Sequence, residues 1–569
     1  MRVKTGILLA PLTSFAVTAQ DNTEQRAFFP QFRTQGRASE QVNECWTPET
    51  PAISDSSRLI FENIKSTISE VGYQAKSIAR FQDAVHIDTQ VDDQYGNVED
   101  DDRWAKFYHF SAFLEREFPL VHERLSLEKI NRHGLVYSWI PTAQDRGGQS
   151  ANKPIVLMAH QDTVPVSPKS LDDWKFDPFE GHIDDDGMMY GRGVHDDKNS
   201  LVSILESVEL LLKTDFKPKR TVILAFGFDE EISGRRGALE ISKLLQKRYG
   251  KNGLELILDE GPGISTALSS SGKKIAYASV ATAEKGYLDV SIEAVSPGGH
   301  SSLAGKHSLI GIVSEMIYSL ENSIAIQARI SKNNPVLGYL SCNNFGFPQV
   351  PALIDRIKAG DADAEYALGS LLENTTIAYL SRTSQAIDLI SGGQKINALP
   401  ERVSVGINYR VGPDLTLGDI KQRISSILKP LAEKHSFKSC FFDERQDCAP
   451  GSERLLRVLQ IGNALEPVRM SPQNSKAYSV VFGTVQATLG SSYKEALDLD
   501  ALQVVPTLMA GNTDTRHYLN LTENIFRFRP TRIDVNNNAG HTVNEHLYAA
   551  DHFNSIGFYA SLILSANDM

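Results

Sequence analysis

Ile155-Val-Leu-Met-Ala159 runs straight into His160-Gln-Asp162. An apolar run this short, without alternation, reads as a strand buried on both faces, as in a parallel sheet covered by helices. Two more runs of the same kind follow: Thr221 to Phe228, which ends at Asp229-Glu230-Glu231, and Leu254 to Leu258, which ends at Asp259-Glu260. Between the first two, Leu201, Ile204, Leu205, Val208, Leu211 and Leu212 recur at helical spacing, the pattern of a crossover helix with one buried stripe. Strand, crossover helix, strand is the signature of a doubly wound α/β sheet. In such sheets ligands bind outside the carboxyl ends of the strands, so the acidic and histidine residues that close each run should meet at one sheet edge.

Outward from this core, a helical pattern covers Phe107 to Phe118, and the first part of the α/β domain is expected over 55–283. The pattern changes after Ala283. Tyr287 to Ala294 and Arg402 to Tyr409 alternate as half-exposed strands do, and amphipathic helices follow them at His307 to Leu320 and Leu417 to Leu431. Residues 284–440 therefore read as an inserted smaller α+β domain. The α/β pattern resumes over 441–569 with an apolar strand at Val504 to Met509 and a closing helix from His546 to Leu562.

At the other end, Arg2 and Lys4 precede an apolar stretch from Gly6 to Val17, and Val17-Thr-Ala19 offers small residues for cleavage, so residues 1–19 read as a signal peptide. The alternative is an uncleaved membrane anchor, against which stand Pro11 and a length short of the ~20 residues that span a bilayer. Residues 20–54 read as a polar arm. The expected destination is outside the cell or periplasmic. Four cysteines make no disulfide framework, but Cys440 and Cys448 are close enough to pair in an oxidising compartment, unpaired thiols being the alternative.

Lys and Arg number 58 against 70 Asp and Glu, a net charge of −12, which excludes an electrostatic grip on nucleic acid. Apolar residues at 41% and charged residues at 22% are those of a globular chain.

Carboxylates crowded at one sheet edge repel one another unless cations hold them. Histidine and carboxylate without thiolate suits Zn²⁺, Co²⁺ or Mn²⁺. Gly191-Arg-Gly-Val-His-Asp196-Asp197-Lys, leading into the crossover helix, and His541 near the C-terminus add to the set. A single acidic pair is ordinarily solvated loop charge; four clusters at the ends of successive elements are not explained that way.

The motifs Pro154-Ile-Val-Leu-Met-Ala-His-Gln-Asp-Thr-Val-Pro-Val, Gly191-Arg-Gly-Val-His-Asp-Asp-Lys, Phe226-Gly-Phe-Asp-Glu-Glu, Gly298-Gly-His-Ser-Ser and Gly511-Asn-Thr-Asp-Thr-Arg-His-Tyr together resemble the M20 family of di-metal peptidases and amidohydrolases. Trp174, Pro178-Phe179 and the segment ending in His541 resemble the branch that contains carboxypeptidase S and the secreted N-acyl amino acid hydrolases.

The resemblance implies a di-metal catalytic domain with an inserted lid and dimerisation domain, and two divalent ions, zinc before cobalt or manganese. It implies Asp196 as the bridging ligand, with His160, Glu231, Asp259 and His541 completing the two sets. Asp162 would orient His160 by accepting its other ring proton, and Glu230 would be the general base. His195 is read as structural and Asp197 as a charge at a helix N-terminus. From the lid, His300 would donate to the oxyanion, reaching the partner subunit's site in a homodimer, while Asn397 and Arg410 in the lid and Arg516 beside the site would hold a substrate carboxylate. The implied activity is that of an exported hydrolase cleaving an amide bond beside a free carboxylate, in N-acyl amino acids or short peptides. A non-catalytic metal-binding or ligand-binding relative is the alternative.

Overall fold

The strand that opens the reading, Ile155–His160, is buried along its whole length and lies parallel to both its neighbours, Val222–Gly227 and Leu256–Asp259. It stands inside a nine-stranded mixed sheet in the computed structural model. The order is Ser126–Ile130, Gly134–Trp139, Val222–Gly227, Ile155–His160, Leu256–Asp259, Ile525–Arg527, Lys274–Glu284 and Ala501–Met509, with Ile264–Leu268 also paired to Lys274–Glu284. The structure describes residues 48–569 apart from 50, 52, 146–152, 269–272, 324–327, 344, 443–453 and 534–539. The expected signal peptide, most of the arm, and Cys448 lie outside the described residues. Everything below belongs to the unit Val42–Met569.

The crossover helix is Lys198–Lys213, and every residue from Lys198 to Leu211 is buried. A single apolar stripe would leave one side in water, but the closing helix Ala549–Asn567 packs on this helix and is itself buried from Ser555 to Asn567. The closing helix starts later than the periodicity suggests. His546–Tyr548 instead form a short antiparallel strand on Met188–Tyr190, which ties the C-terminal segment to the loop leading into the crossover helix.

The inserted domain is a five-stranded sheet in the order Ser384–Gly392, Arg402–Val411, Gly286–Val295, Leu455–Leu465 and Lys438–Phe441. Burial alternates strictly along Gly286–Val295 and Arg402–Val411, so Leu288, Val290, Ile292, Val405 and Ile407 meet the helices Leu309–Asn322 and Leu417–Lys434 on one face. Ser308 caps the first helix by accepting from Gly311 N–H, and Thr416 with Asp419 forms a capping box on the second. Two features differ from the expected boundaries at 284 and 440. Leu455–Leu465 pairs with Gly286–Val295 and sends Leu456 and Val458 into the lid core, so the lid sheet extends past residue 440. Within the expected insert, the helices Val336–Cys342, Val350–Lys358, Ala362–Leu371 and Thr376–Ser381 share a core with Ala283 and Leu508 of the catalytic sheet. They cover the edge strand Ala501–Met509, which has a partner on one side only. The approach is close enough to require glycine at 338, where a Cβ would lie 2.5 Å from Pro506 Cγ.

Among the described residues no helix is long and apolar enough to cross a membrane. Cys342 and Cys440 are both disulfide-bonded.

Candidate active site

His160 closes its strand at the carboxyl edge, where the fold predicts a crevice. Its Nδ1 bonds the main-chain carbonyl of Asp162 at 2.9 Å, which turns Nε2 toward Asp196 Oδ1 at 3.2 Å and Glu260 Oε1 at 3.5 Å. The Asp162 carboxylate lies 3.4 Å from the ring and does something the sequence did not suggest. It accepts from the backbone N–H groups of Glu230 at 3.2 Å and Glu231 at 3.0 Å, and so fixes both glutamates. Asp229 anchors the same turn from behind by accepting from Arg236 and Gly237 N–H, each at 2.7 Å.

Among the described residues, two triads bring ligand atoms within 4.8 Å of one another: His160 with Asp196 and Glu231, and His160 with Glu230 and Glu260. His541 joins the first, its Nε2 lying 3.0 Å from Glu231 Oε2 and 3.3 Å from Asp196 Oδ2. Asp259 joins neither triad. It is the last residue of its strand and its Oδ1 accepts from the N–H of Glu260, so the next side chain faces His160 in its place. Glu260 corrects the expectation for Asp259. No signal in one sequence chooses between two adjacent acids at a strand end.

Electrostatics in this cluster is governed by burial and by its own charges. Burial, then the charge of Glu260, pushes Glu230 well above the ordinary glutamate range. Burial raises Glu231 to about 7, against the hydrogen bond from His541. Asp196 goes the other way: burial opposes its charge, but Arg529, His160 and His541 together hold it well below the usual range. Hydrogen bonds to Asp196 and Glu231 raise His541 to about 10. His195 drops to about 3 through burial and the neighbouring Arg529, and belongs to neither triad. Asp197 stands at the N-cap of the crossover helix as expected but makes no capping bond; both its oxygens are buried without a hydrogen-bond partner.

The residues that do gather form a set of two imidazoles and four carboxylates without thiolate, the Nε2 of each ring pointing at carboxylate oxygens. That donor set fits hard to borderline divalent cations, and the buried Oδ2 of Asp259 beside it also has no hydrogen-bond partner.

Arg516 is brought against this cluster and Arg410 lies on the lid strand, while His300 and Asn397 are not brought to it. Arg516 Nη2 lies 3.4 Å from Glu230 Oε1. Arg410, on the lid strand, donates to Asn512 Oδ1 at 3.0 Å and lies 4.7 Å over the Tyr287 ring; Asn512 in turn donates to the carbonyl of Lys285 at 2.7 Å. Burial is the chief cause that lowers the proton affinity of Arg410, and the positive charge of Arg516 adds to it. His300 and Asn397 sit together on an exposed two-stranded ribbon, Gly299–His300 against Ala398–Leu399. The His300 ring bonds Ser302 Oγ at 2.8 Å, and no described hydrogen bond or ion pair joins it to the carboxylates.

The chain matches peptidase family M20/M25/M40 over residues 156–565. It is 33% identical over 536 residues to carboxypeptidase S of Saccharomyces cerevisiae, covering 92% of this chain and 89% of that one. The chain belongs to peptidase family M20. It is also 36% identical to an uncharacterized carboxypeptidase of Schizosaccharomyces pombe, over 86% of this chain and 79% of the relative. To the N-fatty-acyl-amino acid synthase/hydrolase of Mus musculus it is 30% identical, over 80% and 82%. Among solved structures, human carnosine dipeptidase 1 superposes with a TM-score of 0.57 at 13% identity, over 91% of this chain and 100% of that one. The M20 metallo-carboxypeptidase Sso-CP2 of Sulfolobus solfataricus gives 0.55 at 17%, over 87% and 99%. At those identities the likeness establishes the M20 fold. Membership makes the chain a hydrolase of metallopeptidase and carboxypeptidase type, and M20 enzymes generally bind two divalent metals.

Proposed function

We propose that this M20 protein hydrolyses the amide bond next to a free carboxylate, in N-acyl amino acids or short peptides, using two divalent ions of which zinc is the first choice. His160, Asp196, Glu231, Glu260 and His541 would hold the ions, with Asp196 between them. When bound, such ions polarise the scissile carbonyl and acidify the attacking water. Glu230 accepts the water's proton and delivers it to the leaving nitrogen; its burial and the charge of Glu260 raise its proton affinity. Asp162 holds Glu230 and Glu231 by their backbones, so neighbouring carboxylates keep separate tasks.

The observation that carries the substrate class is a cation beside the base: Arg516 Nη2 at 3.4 Å from Glu230 Oε1, with Arg410 on the lid strand, held by Asn512, as a second candidate cation. A guanidinium group at that place suits a substrate carboxylate one residue from the scissile bond, and Arg410 would add a second from the lid. The non-catalytic alternative is not favoured, since base and donor set stand together.

The disulfide-bonded Cys342 and Cys440 support an exported protein, because such bonds persist in oxidising compartments. The open edge strand Ser384–Gly392, with Leu389 70% and Ile390 62% exposed, supports a homodimer through the lid. In that dimer the exposed ribbon would carry His300 and Asn397 to the partner's site.

The test is a parallel assay of N-acyl amino acids and dipeptides against their C-terminal amides, with zinc, cobalt or manganese supplied. Cleavage confined to the free acids is expected. Equal cleavage of acids and amides would overturn the carboxylate reading.

A further inference from the structure

Glu545 is fully buried, yet its carboxylate is one of the most heavily hydrogen-bonded groups near the site. Oε1 accepts from the backbone N–H groups of Gly193 at 3.0 Å, His195 at 2.9 Å and Asp196 at 3.1 Å. Oε2 accepts from Arg192 Nη1 at 2.6 Å, and the carbonyl of Glu545 accepts from Gly191 N–H at 2.9 Å. Arg192 is itself buried and lies 5.4 Å over the Trp174 ring. One side chain thus gathers the whole turn that presents Asp196.

The same residue stands four positions after His541. Between them the backbone is unfavourable for ordinary residues: His541 and Asn544 both take left-handed conformations, at φ 59° and 62°. Asn544 is tied down by Lys175 N–H, which donates to its Oδ1 at 2.6 Å, and the strand His546–Tyr548 begins immediately after Glu545. A segment held in such a shape needs a fixed point, and Glu545 supplies it on the turn of the opposing residue.

We propose that Glu545 is a positioning residue that ties the segment carrying His541 to the turn carrying Asp196, and so sets the spacing between these two groups. From the other side Arg529, also buried, donates to the carbonyl of His195 at 2.7 Å and to that of Gly261 at 3.1 Å. The turn is therefore clamped by its N–H groups through Glu545 and by a carbonyl through Arg529. Neither clamp is in the proposed donor set.

This inference rests on the metal-site reading above. The substitution Glu545→Gln keeps the shape but replaces one acceptor with an NH₂ group, which must then face either the three N–H donors or the Arg192 guanidinium. Glu545→Asp keeps the charge and shortens the reach. Apoprotein of each variant and of the wild type is titrated with Zn²⁺ against a competing chelator, with near-UV circular dichroism as the check on folding. In a folded Glu545→Gln protein the affinity should fall ~10–100-fold, as for other groups that orient ligands. Excess Zn²⁺ should then recover kcat with KM near that of the wild type. If Glu545→Gln does not fold, Glu545→Asp is read in the same way, with a weakening of at least ~10-fold expected. A folded variant that binds Zn²⁺ within twofold of the wild type would overturn the inference, because a role in folding alone leaves the affinity of the folded protein unchanged. Wild-type apoprotein that binds no Zn²⁺, Co²⁺ or Mn²⁺ would instead overturn the metal-site reading.

Discussion

Glu230 and Glu231 differ by one place in sequence, and Asp162 makes that difference matter by pinning both their N–H groups. Glu230→Gln should keep metal content and lose most turnover, ~10²–10⁴-fold in kcat, because an amide cannot take the water's proton. Elemental analysis alongside kcat checks it; near wild-type activity would remove Glu230 from the base role. Glu260 and Asp259 make a second such pair. Since Glu260 Oε1 faces His160 at 3.5 Å and Asp259 caps the N–H of its neighbour, Glu260→Gln should weaken metal binding more than Asp259→Asn. The reverse order in a chelator competition would restore Asp259 to the ligand set. The proton affinities give a third expectation. His541, raised to about 10 by Asp196 and Glu231, carries a ring proton at pH 8 that a cation must displace. Metal affinity should therefore fall as pH is lowered from 9, and more steeply below about 7, where Glu231 also takes up a proton. Calorimetric titrations at pH 8 in buffers of different ionisation enthalpy should detect proton release, and observed heats that do not change with the buffer would refute it.

The elements were legible where one periodicity ruled. Ile155–His160 and its parallel neighbours read directly as buried strands, and the alternation in Tyr287 to Ala294 read directly as a half-exposed lid strand. Three things were not legible, each because the deciding contact is distant in sequence. Leu455–Leu465 joins the lid by pairing with a strand over 160 residues earlier in numbering, a register that local pattern does not encode. The four helices between Val336 and Ser381 look like lid helices until their partner, the edge strand Ala501–Met509, is seen. Glu545 reads as an ordinary helix-proximal acid, and only the fold puts it under the turn of Asp196. At this scale the lid strand Arg402–Val411 also matters, because it carries Arg410 to Asn512 and the Tyr287 ring. Arg410→Ala should raise KM for free-acid substrates ~10–100-fold with a smaller change in kcat, the mark of a contact made equally in ground and transition states. Asn512→Ala should shift KM in the same direction by less. An unchanged KM in steady-state kinetics would detach Arg410 from the substrate carboxylate.

Across the whole molecule, the proposed metal donors and base stand together, whereas the groups expected on the lid do not reach them. His300 is exposed on its ribbon with Asn397 beside it, and Ile396 next to them is 99% exposed. An exposed apolar residue beside His300, expected to act on the oxyanion, and Asn397, expected to hold substrate, calls for another surface to cover it, and the open lid edge at Ser384–Gly392 offers a two-fold means of bringing that surface. His300→Ala should lower kcat ~10²-fold or more at unchanged metal content, since a donor aimed at developing negative charge acts chiefly in the transition state. The decisive form mixes two inactive proteins. A dimer of one His300→Ala chain and one Glu230→Gln chain contains one site with Glu230 from the first and His300 from the second, so random exchange should return roughly a quarter of wild-type activity if the histidine crosses over. Subunit exchange is verified separately by mass spectrometry of differently labelled chains. With exchange proven, a mixture that stays inactive would mean that His300 serves its own chain, which requires the lid of a single subunit to close over the carboxylate cluster, or that it has no part in the reaction.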